Sequence, residues 1–175
     1  MPQQYQFQEL FIEQLNDLFS AEEQIASALP RVISIVSSGD LREALTHYLQ
    51  DVSKHNEHMS MVFQELNTQA RGSVCKAIED ILEQLDNTAG RGGNSAVKDA
   101  AIIAIVQRLQ HYKIAVYGTA RTFARHLSQN KAMDLLQHAL NGEGEADKKL
   151  TRLAEGGIFT TGINEEAIKE VSMVQ

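Results

Sequence analysis

The stretch FQELFIEQLNDLFSAEEQIASALPRVISIV, Phe7 to Val36, decides how the chain is read. Apolar residues recur at Phe11, Leu15, Leu18, Ile25, Leu29, Val32 and Val36, in steps of three and four once position 22 is counted. That spacing sets them on one face of a single long helix. Pro30 removes one backbone donor and is expected to kink it. The residue at position 22 is Glu, a charge in the middle of an apolar stripe.

Working outward, the same pattern returns three times. After Ser37-Ser38-Gly39-Asp40, with Asp40 expected as N-cap, the second stripe is Leu41, Leu45, Tyr48, Val52, position 55, Met59, Val62 and Leu66. The third segment, Ser95 to about Leu127, carries Val106, Leu109, position 113, Val116, Ala120, Phe123 and Leu127. The fourth, about Asn130 to Leu153, carries Ala132, Leu136, Ala139, position 143, Ala146, Leu150 and Leu153. Val74 to Leu85, with Ile78, Ile81 and Leu82, reads as a short helix whose apolar surface meets a partner copy or its own bundle. Asn164 is expected to cap another near the end, running to Val171. Glycines at Gly39, Gly72, Gly90 to Gly93 and Gly156-Gly157 punctuate these segments, and none alternates with period two. The expectation is an all-α four-helix bundle over residues 1–155, with a tail over 156–175. The long link falls between the second and third helices and carries the short helix. That is ferritin-like connectivity, not up-down-up-down.

Composition excludes several classes. The 175 residues and 43% hydrophobic content suffice for one core, and the net charge of −7 argues against nucleic-acid binding, which needs a basic face. The single cysteine, Cys75, excludes an internal disulfide. The longest apolar run, Ala100 to Val106, is far short of the roughly 20 residues that span a bilayer, so no membrane partner is expected. MPQQYQFQEL lacks the features of a secretory leader, and a cytoplasmic location is expected.

Each stripe is broken once by a polar residue: Glu22, His55, Lys113 and Glu143. Asp51 stands four residues before His55, Asp147 four after Glu143, and His58 three after His55, spacings that share a helical face. Buried charge is costly unless paired or metal-bound, so these groups point to one mutually satisfied site. Carboxylates and imidazole from facing helices suit iron, manganese or zinc, with a metal-free cluster as the alternative. His111 and Tyr112 lie beside Lys113 and are expected to support the site. Gly142 and Gly144 bracket Glu143, each costing roughly 1 kcal/mol against Ala, and so mark a kink, a pocket or a close backbone contact.

The stretches LFSAEEQIASALP, CKAIEDIL, AIIAIVQRLQHYKIAVYGTARTFA and LLQHALNGEGEADKKLTRLAE resemble the YciE/YciF family of ferritin-like stress proteins, over about residues 7–155. The resemblance implies a dimeric ferritin-like bundle with a di-metal centre and no established activity. It assigns as ligands Glu22, Asp51 where Glu is usual, His55 where Gln is usual, and the pair Glu143 and Asp147. It also exposes a departure. Where the family shows a pattern like EHYE, this chain has Gln110-His111-Tyr112-Lys113. Both carboxylates are gone, and the second is replaced by an ammonium that repels cations. The expectation is a degenerate centre, with Lys113 paired to carboxylates and one metal or none. A di-iron or di-manganese oxidoreductase acting on dioxygen or peroxide is the alternative.

Overall fold

The computed structural model describes residues 6–72, 74–92 and 95–172; Gly93 of the glycine run and the last three tail residues lie outside the described residues. The helices are α1 (Phe7–Ile35), α2 (Gly39–Glu65), α3 (Lys76–Ala89), α4 (Ser95–His126), α5 (Asn130–Glu155) and α6 (Ile163–Ser172). Gly156–Gly157 and Thr160–Thr161 pair as a minimal antiparallel hairpin, which the sequence reading did not anticipate. Helix α1 continues past Pro30, which lies on its exposed side.

Contacts between helix ends establish the connectivity. The Asp99 carboxylate, 1% exposed near the start of α4, accepts from the backbone N–H of Ser37 at 3.0 Å and of Ser38 at 2.7 Å, just before α2. Helices α2 and α4 therefore begin at the same end. At the other end Lys131, opening α5, lies 2.7 Å from Glu65, closing α2. The link from α2 to α4 must run the length of the bundle, and it does so along α1. Arg71 N–H donates to Asn16 Oδ1 at 2.8 Å, Cys75 N–H to Ser20 Oγ at 3.0 Å, and Arg31 pairs with Asp86 at 2.9 Å. Helix α1 packs on α2 and α4, and α5 packs on the same two. This is the all-α, ferritin-like arrangement expected.

Local details differ from expectation. Ser38, not Asp40, is the N-cap of α2, its Oγ accepting from Leu41 N–H at 3.3 Å. Asp40 sits in the first turn, where its charge opposes the helix dipole favourably. Helix α6 starts before Asn164, with the Gly162 carbonyl accepting from Glu165 and Glu166. Gly156 has φ +78, and a Cβ there would lie 2.5 Å from the Gly162 nitrogen, so only glycine fits the hairpin's entry. The short helix α3 spends its apolar side on its own bundle. Ile78 is fully buried, and Ile81 and Leu82 pack half-buried against the core.

Asp99 closes two otherwise orphaned donors ahead of α2, a role invisible to stripe analysis. Replacing it with Ala would remove the charged acceptor that both N–H groups share at the half-buried turn between α1 and α2. We expect Asp99→Ala to lose about 1–3 kcal/mol of unfolding free energy in urea titration, at unchanged secondary structure.

Candidate functional site: a buried charge cluster with one lysine

Four interruptions of four stripes meet at one level of the bundle. Glu22 from α1, Lys113 from α4 and Glu143 from α5 are fully buried, and His55 from α2 is 2% exposed. The Lys113 ammonium lies 2.8 Å from Glu22 Oε2 and 2.5 Å from Glu143 Oε1. His55 Nδ1 faces the same carboxylates, 3.4 Å from Glu22 Oε1 and 3.2 Å from Glu143 Oε1. Gly142 allows this approach, since a Cβ there would sit 3.1 Å from His55 Nε2. Of the three options left open for the flanking glycines, Gly142 is therefore a close contact, while Gly144 borders open space.

Two tyrosines complete the cluster, and the sequence reading assigned neither to it. Tyr117 hydroxyl donates to Glu22 Oε1 at 2.5 Å, and Tyr48 hydroxyl to Glu143 Oε2 at 3.0 Å. Tyr48 counted as an ordinary stripe residue because its ring is apolar. Tyr117 was missed through phase. After Lys113 the third stripe continues at Tyr117, Ala120 and Ala124, all buried, whereas Val116, Phe123 and Leu127 are only half-buried. Steps of three and of four are both helical, so the spacing alone did not choose between 116 and 117.

The remaining candidates lie outside the cluster. Asp51 is half-exposed and pairs with Lys54 at 3.2 Å. Asp147 accepts from Gln107 Nε2 at 3.0 Å and lies 3.3 Å from the exposed His111. Tyr112 turns its hydroxyl to Cys75 Sγ at 3.2 Å, away from the expected supporting role. His58 stacks edge-on against His138 at 5.1 Å.

Electrostatics follow from the geometry. Burial alone would raise the Glu22 carboxyl, but Lys113 and His55 outweigh it and hold it below its ordinary value. Burial would likewise strip Lys113 of its proton, yet Glu143 and Glu22 raise it above the usual lysine value. His55 is raised too, its two carboxylate partners overcoming desolvation. Burial and the same carboxylates push both Tyr48 and Tyr117 well above 10.0, so both stay phenols.

These shifts set a pH window. The raised His55 contributes stability that is fully present below about pH 6.5, the ordinary value, and is lost as pH rises through its higher folded value. The lowered Glu22 contributes stability present above about pH 4.5 and lost as pH falls through its folded value. Urea unfolding across pH should therefore show its best plateau between about 4.5 and 6.5. The advantage of wild type over His55→Gln should fade above that window; a pH-independent difference would contradict the imidazole contacts.

As a donor set, Glu22, His55 and Glu143 offer three ligand atoms within 4.8 Å of one another, a group that could hold a metal. A pair of metals does not fit. The cluster has two carboxylates where a di-metal bundle site uses about four, and an ammonium already bridges them.

The model of a "domain of unknown function (DUF892)" matches residues 6–167. The chain belongs to this family. Protein YciF of Escherichia coli K12 is 34% identical over 148 residues, covering 84% of this chain and 89% of that protein. The crystal structure of that stress protein superposes with a TM-score of 0.83, over 86% of this chain and 95% of the other. YcfI of Rhodopseudomonas palustris is 35% identical with the same TM-score, over 86% of this chain and 96% of its own. A dodecameric thioferritin from Bacteroides fragilis, 14% identical with a TM-score of 0.66 over 95% of this chain and 92% of its own, shares the fold. Among the described residues, no helix is long and apolar enough to cross a membrane.

Proposed function

We propose that this DUF892 chain is a non-catalytic, stress-associated protein whose central site is held together by Lys113 in place of a metal pair. The observation that carries the reading is the ammonium lying within 2.8 Å of one buried carboxylate and 2.5 Å of the other. A divalent pair supplies positive charge to a ring of acids; here the chain supplies it covalently. The tyrosine hydroxyls donate hydrogen bonds to the same carboxylates, and His55 lies within charge-pairing distance of them.

A second reading rests on the Glu22, His55 and Glu143 group: one iron, manganese or zinc ion, bound when Lys113 swings aside. Asp51 and Asp147 remain ligands in this reading only if their helices shift, since both now serve other partners. A homodimer in the cytoplasm completes the proposal, by likeness to the family; light scattering that finds a 19.4 kDa particle would remove the dimer.

Metal analysis of protein purified without chelators or affinity metals tests the reading. Metal at or below one per chain is the expected result, and a value near two would overturn it in favour of a di-metal oxidoreductase.

A further inference from the structure

A cavity of about 200 Å³ opens between α2, α4 and α5, beside the charge cluster and sharing Tyr48 with it. At its inner end stand Tyr48 and Gln110, and Gly142 forms part of its wall. Gln110 is fully buried, and neither its amide nitrogen nor its amide oxygen has a hydrogen-bond partner in the protein. A buried amide with both ends unpaired is expensive, and a polar guest that reached it from the cavity would remove that cost. Tyr48 donates its proton to Glu143 and keeps oxygen lone-pair capacity.

The geometry points to this cavity as a binding site for a small uncharged molecule that carries a donor and an acceptor close together, as a primary carboxamide does. The amide of Gln110 complements such a group with one donor and one acceptor. Charge at the rim favours neither sign. Asp51 and Glu145 stand there with Lys149 and His47. Behind Tyr48 the Lys113 ammonium sits 3.4 Å from its hydroxyl and balances Glu143. An ion would give up its water without gaining a counter-charge. The volume far exceeds the 10–15 Å³ that admits one water, so a guest of several heavy atoms fits.

The test uses the full-length protein labelled with ¹⁵N and formamide as the probe, followed through the amide signals of Gln110 and Gly142. The expected result is one saturable transition in about the millimolar range for so small a ligand, with acetate and methylammonium producing none. In Gln110→Leu the Gly142 response should weaken at least tenfold, while Glu79→Gln, on the exposed side of α3, leaves it unchanged. If Gln110→Leu does not fold, Ala146→Leu, which fills the cavity from α5, should abolish the response. Shifts that stay linear, equal saturation by either ion, or saturation untouched in the cavity variants would overturn the site. Metal content plays no part in this readout, so its outcome is separate from that of the Lys113 reading.

Discussion

Lys113→Met should lower the unfolding free energy by about 3–5 kcal/mol, the usual cost of removing one partner from a buried ion pair. For a chain of this length that is a fall of about 6–20 °C in Tm. Methionine is apolar and fills much of the same volume, so the loss is electrostatic and not a packing void. Glu22 and Glu143, both fully buried, would keep the two tyrosine hydroxyls and have His55 as their remaining cationic neighbour among the described residues. One carboxyl would then take up a proton, so the deficit should shrink as pH falls. Thermal melting at pH 7 and pH 5 measures both effects. A variant that melts with wild type at pH 7 would show that the ammonium contributes nothing to the centre.

Lys113→Glu should reverse the site's preference. It removes the only ammonium within reach of Glu22 and Glu143 among the described residues and adds a third carboxylate beside His55. Without metal the variant should be less stable than wild type, since three buried acids have one imidazole to balance them. With manganese or iron(II) in excess it should recover, because a ligand that binds only the folded state stabilises by about 2.7 kcal/mol at one hundred times its Kd. The same metal should leave the wild-type Tm almost unmoved. If the variant binds no more metal than wild type, Lys113 is not what closes the site to metal.

The stripes and their polar interruptions, apart from the third stripe beyond Lys113, were legible because burial repeats with the helix period. Phe11 to Val36 is buried at every predicted position of its stripe, Glu22 included. Side-chain aim was less legible. Asp51 and Asp147 share a helical face with His55 and Glu143, yet each sits at the stripe's edge, where Lys54 and Gln107 compete for it. Long-range capping was not legible at all. Asp99 is isolated in the sequence, and the donors it satisfies lie more than sixty residues away.

The charged layer also divides the hydrophobic interior. One apolar cluster, including Ile25, Leu45 and Leu109, lies to one side of it, and another, including Phe11, Met59 and Leu136, lies to the other. Both are generic apolar surfaces that would tolerate a helix sliding along its axis. A slide of one turn, 5.4 Å, would set a carboxylate or the ammonium against hydrocarbon and break every bond around Lys113. The layer thus works as a latch on axial position: the apolar halves supply adhesion, and the four polar residues determine the one alignment in which adhesion is complete.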